Sequence, residues 1–206
     1  EGLPSEGGGV ISLHMGQYRS DRIHELLRER MAARGGRLTQ EDLAGVQCDV
    51  VSPQAQRLLP ALLSTLEGPA AEGARQRSEE GAAHAALRAL RAWDHAYSGE
   101  SVAPVVFEAL LEGVRDELFG RSGALGPGLW PLIKDSVMVN IFYHHLDDHL
   151  VRLVREDPVR VANAVASVLA ASPPPRPWRE VATFVMKNVL LGGKLPAWFG
   201  FDRTAF

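Results

Sequence analysis

The chain has 206 residues, of which 46% are hydrophobic and 23% charged, and its net charge is −3. That balance is ordinary for a globular protein and leaves room for one large domain or two small ones, each able to bury a core. It gives no electrostatic basis for binding nucleic acid, and no run approaches the ~18 uninterrupted apolar residues of a membrane span. Cys48 is the single cysteine, so no disulfide forms within the chain. The sequence opens at Glu1 without Met, with Gly7, Gly8 and Gly9 soon after, and this reads as a piece of a longer protein.

The periodicity is helical almost throughout. Val10 to His14 is the best candidate for a strand. Ile23, Leu26, Leu27 and Met31 recur at spacings of three and four, which predicts a helix over roughly 21–33 with one apolar stripe. Gly35-Gly36 ends it. Thr39 then offers an N-cap, with Glu41 and Asp42 placed where acids suit the helix dipole. Ser52-Pro53 repeats the device for a third helix, buried along Leu58, Leu59, Leu62, Leu63 and Leu66 and bent at Pro60.

Glu67 to Arg77 is polar and predicts a loop, after which Ser78 caps an alanine-rich helix ending near Trp93. A turn at Tyr97-Ser98-Gly99 leads into a helix carrying Val106, Phe107, Leu110, Leu111, Val114 and Leu118. Gly120 to Gly128 predicts a second loop. The stretches near 67–77 and 120–128 are candidate sub-boundaries of what otherwise reads as a single mostly helical region, 1–206. One long helix is expected from about Leu129 to Glu156, with Ile133, Val137, Ile141, Leu146, Leu150 and Leu153 available for burial. Pro158 starts another helix, which ends before the Ser172–Pro177 breaker. A last apolar segment, Val181 to Leu191, reads as helix or strand and precedes an aromatic tail (Trp198, Phe199, Phe201, Phe206). The fold class expected is mainly α with at most one or two short strands.

Chemistry-bearing clusters are few. His145 and His149 are four apart in His144-His145-Leu146-Asp147-Asp148-His149, so on a helix they share a face and have the spacing of zinc ligands. The general-base glutamate of zinc proteases is missing, because Leu146 follows the first histidine, and no further ligand is identifiable. The other reading is a solvated helix face with Leu146 and Leu150 turned inward. No Gly-x-Ser-x-Gly elbow occurs, and Ser122 reads as a turn residue. The glycine-rich run Gly123 to Gly128 lacks the lysine and hydroxyl of a phosphate loop. Cys48 has no feature that lowers its pKa and reads as a small buried hydrophobe. Asp94, after Trp93, either bonds the following turn or acts as an acid or base, for which no partner is evident. Arg19 and Arg22 stand at a helix start, where a cation is mildly unfavourable. They either pair with an acid such as Asp21 or Glu25 or have a separate task.

Taken in order, these pieces resemble a known pattern. Tyr18-Arg19-Ser20-Asp21-Arg22-Ile23 with Leu26-Leu27, then Leu38-Thr39-Gln40-Glu41-Asp42-Leu43, Gln47 and Asp49-Val50, resemble the β chain of the penicillin acylase family of N-terminal nucleophile hydrolases. Ser52, Ala55 and Leu58-Leu59-Pro60 continue the match, as do Trp93-Asp94, Ser101, Phe107-Glu108 and the late Phe199-Gly-Phe-Asp-Arg203 segment. The resemblance implies an αββα sandwich with helical additions, of which this chain supplies mainly helical β-chain segments. It implies a precursor that cleaves itself to expose an N-terminal serine, whose α-amine acts as base on an amide carbonyl. A backbone N–H and an asparagine stabilise the oxyanion. Arg22 matches the arginine that supports this region and is the one catalytic-support residue carried over. The resemblance places the nucleophile, the asparagine and the acyl pocket upstream of Glu1. The family often binds calcium, but the position of its aspartate falls near Ile11, where no acid stands, so no cofactor is expected in this chain.

The expected partners are the rest of the acylase (the α chain and the N-terminal part of the β chain) and a small N-acyl amide, either a β-lactam with an acyl side chain or an N-acyl homoserine lactone. A periplasmic or secreted location is implied in the same way. By itself the chain is expected to be inactive. The alternatives are a noncatalytic helical interaction module or decayed homologue, and, more weakly, a helical metal-binding protein using His145 and His149.

Overall fold

Caps and small residues set the element order. The computed structural model describes residues 17–121, 123, 125–134, 139–172, 174–182, 184–187 and 202–205, with backbone alone for 139–143, 184–187 and 202–205. The candidate strand at Val10–His14, Ser122, Val137 and the aromatic tail lie outside the described residues. Helix α1 (Tyr18–Ala33) ends at Gly35 and Gly36, both with positive φ. Helix α2 (Gln40–Gln47) begins with a complete capping box. The Thr39 hydroxyl accepts from the Asp42 N–H at 3.2 Å, and the Asp42 carboxylate accepts from the Thr39 N–H at 2.9 Å. Ser52 caps α3 (Pro53–Ser64) through the Ala55 N–H, and Pro60 lies exposed inside that helix without ending it.

The stretch after Leu66 is helical, not the expected loop. A 3₁₀ turn at Pro69–Ala71 runs into α4 (Glu72–Ser78). Its buried face is Ala71, Ala74 and Ser78, at helical spacing but too small to register as a hydrophobic stripe. Their size is what lets α4 lie close against α9 (Pro158–Ala170). Ser78 therefore caps nothing: it is fully buried, and its hydroxyl donates to the Ala74 carbonyl at 2.9 Å. Helix α5 (Gly81–Arg91) starts after Glu80 with no side-chain cap.

Helix α6 (Ala103–Arg115) continues into a π-helical turn, Asp116–Arg121, which carries Leu118 and Phe119 into the core. The second expected loop is thus shortened from both sides, because α7 (Gly126–Lys134) already starts at Gly126. Of the expected long helix, the described residues are helical in α7, up to Lys134, and in α8 (Val139–Glu156), and 135–138 lie outside the described residues. After α9 and its Asp157 cap comes α10 (Trp178–Val181), and then β1 (Phe184–Lys187) pairs antiparallel with β2 (Asp202–Ala205). The last apolar segment is a strand over those four residues, and the protein is mainly α.

Helix α9 is apolar nearly all round, with Val161, Ala162, Ala164, Val165, Ala166 and Leu169 buried, as a central helix must be. Helices α3, α4, α5, α6 and α8 pack around it. Leu58, Leu62, Leu66, Leu90, Phe107, Leu110 and Leu150 fill the space between them with 0–1% exposure, each worth about 1.5–3 kcal/mol on burial. Packing between α6 and α9 is tight at Gly113, where an added Cβ would meet Val168 Cγ1 at 2.7 Å.

Helix α1 is held differently. Of its predicted stripe only Leu26 is buried; Ile23 and Leu27 are half-buried and Met31 is 42% exposed. Cys48, at the C-cap of α2, is exposed as well, correcting its expected burial. No described helix is long and apolar enough to cross a membrane.

Candidate functional site

The turn after Trp93 braces the segment that lines one wall of a cleft. Trp93 is buried against Phe107 and its indole N–H donates to the Ala96 carbonyl at 2.9 Å. Asp94 accepts from the Ala96 N–H at 3.0 Å, closing an Asx turn. His95 turns the chain with φ +65°, a conformation that histidine adopts more readily than most residues. Its carbonyl then accepts from the Ser52 N–H at 2.9 Å, and the Tyr97 N–H donates to the Val50 carbonyl at 2.9 Å. Asp94 therefore takes the local structural role. The corner straps the 49–52 segment beside α1.

Tyr18, Arg19, Arg22 and Ile23 of α1 form the facing wall, and Tyr97 and Glu108 close one end of a cleft of about 370 Å³. That is large enough for a small molecule. The structure thus brings together three segments that are remote in sequence: the start of α1, Asp49 with the residues after it, and the Trp93–Asp94 corner.

Arg22 organises this cleft. Its Nε donates to Asp49 Oδ2 at 3.1 Å and its Nη2 to Asp49 Oδ1 at 3.0 Å, a bidentate fork. Its Nη1 reaches Glu25 Oε2 at 2.8 Å. The Arg22 and Asp49 side chains are 16% and 15% exposed, whereas Glu25 is 53% exposed. Asp49 is therefore the partner that fixes the guanidinium, and Glu25 is a rim contact of small worth. The Arg22 hydrogen bonds hold the Asp49 carboxyl below its usual range, helped by the Val51 N–H. The two carboxylates raise the Arg22 pKa still further, so it is a permanent cation. At the end of the cleft the Tyr97 hydroxyl donates to Glu108 Oε1 at 2.5 Å. Burial, then the Glu108 charge, pushes that phenol far above its usual value, so it remains a neutral donor.

The histidine-rich stretch of α8 divides its side chains among different neighbours. His145 is exposed, while the His149 ring stacks on Phe119 at 5.4 Å and its Nδ1 contacts the Arg152 guanidinium. Burial, then the Arg152 charge, lowers the His149 pKa. Among the described residues no group of three or more His, Cys, Asp and Glu side chains is arranged to hold a metal ion. The solvated-face reading needs correction at Asp147, which is fully buried. It lies three residues before Leu150, on the same helical face, and it accepts from Gln54 Nε2 at 2.7 Å, from the Tyr18 hydroxyl at 3.1 Å and from Arg115. Asp148 pairs with Arg57, which lowers its pKa.

Sequence reasoning singled out Arg22 and expected Asp21 or Glu25 beside it; the partner that holds it, Asp49, is supplied by the fold across 27 positions. It also passed over Tyr97, Glu108 and Asp147. The shared face of Tyr18 and Arg22, four apart, was the legible signal that both line one surface.

Comparison with known proteins gives one finding that bears on this cleft. The family model for penicillin amidase matches residues 5–205, nearly the whole chain. No curated protein and no solved structure matches the chain. The chain belongs to the penicillin amidase family.

Proposed function

From that membership we propose that the chain is the helical support of an amidohydrolase that cleaves the amide bond of N-acyl substrates, with Arg22 steadying the oxyanion region. The observation that carries this reading is the Arg22–Asp49 fork lining the cleft. A guanidinium has five N–H donors, and Asp49 and Glu25 take three of them. Among the described residues no acceptor takes the other two, and in this reading they meet one that approaches across the cleft, such as the side-chain amide that binds the oxyanion. A bidentate carboxylate keeps the guanidinium plane from swinging, which is the preorganisation that electrostatic stabilisation of a tetrahedral intermediate requires.

In this reading the reacting serine and the oxyanion asparagine come from outside the 206 residues. They arise from a self-cleaving precursor, and the serine's own α-amine takes up the hydroxyl proton during attack on the carbonyl. The carbon–nitrogen bond breaks with protonation of the leaving amine, and water then releases the carboxylic acid. No cofactor from this chain is needed. The acyl group belongs to a β-lactam side chain or an N-acyl homoserine lactone. His145 and His149 have no part in it.

The test is to read the gene upstream of Glu1 and assay its natural product on chromogenic N-acyl anilides, β-lactams and N-acyl homoserine lactones. A Gly/Ser cleavage junction, with hydrolysis by the processed protein and none by the 206-residue chain alone, is the expected result. A natural product that processes no precursor and hydrolyses none of these amides would leave a noncatalytic helical module.

A further inference from the structure

We infer that Asp147 is a positioning residue for Arg22, acting through Tyr18; the inference rests on the role proposed for Arg22. Helix α1 is weakly anchored by apolar packing. Leu26 is its one buried residue, and Gln17 at its N-cap makes no side-chain capping bond. Its first turn is fixed by polar bonds instead, and these meet at the Tyr18 hydroxyl. That hydroxyl donates to Asp147 Oδ2 at 3.1 Å and accepts from Arg57 Nη1 at 3.1 Å. The His144 ring meets the Tyr18 ring edge-on at 5.4 Å. Burial, then the Asp147 charge, pushes the Tyr18 phenol up to about 12, so it stays a donor across the working pH range.

Asp147 is itself immobile. It is fully buried, and Gln54 of α3 and Arg115 of α6 bond it from two other helices. Charge-assisted bonds in a water-poor interior are strong and directional, so this carboxylate is a fixed point of the core. Tyr18 and Arg22 are one helical turn apart and both line the cleft. Pinning the Tyr18 ring fixes the rotation of α1 about its axis, and with it the place where the guanidinium meets Asp49. Asp147 and Tyr18 thus transfer the rigidity of the core to a helix that has little of its own.

Tyr18→Phe tests this in the processed enzyme that carries the nucleophile, because it keeps the ring and removes only the hydroxyl. The expected result is a fall in kcat of about tenfold with KM unchanged, since a small misplacement of a supporting group acts on the transition state. Asp147→Asn, which keeps the size and removes the charge, is expected to act in the same direction. In an Arg22→Lys background, where the fork on Asp49 is already lost, Tyr18→Phe is expected to change kcat less than about twofold. Leu90→Ala supplies the stability control, lowering Tm more than Tyr18→Phe while leaving kcat unchanged. An unchanged kcat in Tyr18→Phe, or an equal loss in both backgrounds, overturns the positioning role and leaves the reading of Arg22 intact. Full activity in Arg22→Lys and Arg22→Ala alike would instead overturn that reading, and the inference with it.

Discussion

The bundle around α9 and the layer made by α1 and α2 are built on opposite principles. In the bundle, Leu58, Leu62, Phe107, Leu110 and Leu169 interlock at 0% exposure, and small residues such as Ala74 and Gly113 let helices approach closely. In the α1–α2 layer Leu26 and Val46 are the buried apolar side chains, and the hold is polar: ion pairs of Arg22 with Asp49 and of Arg30 and Arg34 with Asp42, and the Tyr18 hydrogen bond to Asp147. Packing resists displacement without orienting anything. Forked hydrogen bonds orient a charge but add little net stability. The division lets one part of the chain supply rigidity while the other presents a guanidinium at a fixed place.

The sharpest way to break the comparison is to damage each region and see which property fails. Leu62→Ala in the bundle is expected to cost about 3 kcal/mol of unfolding free energy, read from denaturant melts, with no change in catalysis per folded molecule. Next in size is Gly113→Ala. In most helices that change stabilises, but here the new methyl meets Val168, and a loss of about 1–3 kcal/mol is expected. A gain in stability would show the α6–α9 contact to be looser than described.

Acid is expected to separate the two regions. The folded-state pKa of Asp49 lies below its unfolded value, as does that of Asp42. Their stabilising contribution is therefore complete above about pH 4 and is lost as pH falls through the folded values. Pulsed hydrogen exchange should show α1 and α2 opening in acid before α9, and Arg22→Gln should weaken that pH dependence. Simultaneous loss of both regions would contradict the division. The smallest effect is expected from Glu25→Gln, below about 0.5 kcal/mol in thermal melts and reduced further by salt, since Glu25 is 53% exposed.

The same contrast explains what was legible in the sequence. Large apolar residues at helical spacing located α3 and α6, alanine content pointed to α5, Pro158 and the proline-rich breaker bounded α9, and the Thr39 and Ser52 caps placed the starts of α2 and α3 within a residue. Helix α4 was missed because alanine and serine make its buried face. The π-helical turn has no compositional signature. Cys48 and Met31 misled because hydrophobic character alone does not say which face of a thinly packed layer is covered. In the cleft, Arg22 stood out by resemblance, but Asp49, Tyr97, Glu108 and Asp147 become neighbours of α1 or of one another only through tertiary packing. No local spacing encodes that.

The central proposal is that Arg22, held by Asp49, supports amide hydrolysis. The most direct test is the kcat of the processed enzyme carrying Arg22→Ala, measured beside its Tm. The account predicts a loss of about 10²-fold in kcat, with little change in KM and a Tm within a few degrees of wild type. A kcat equal to that of the wild type would contradict it.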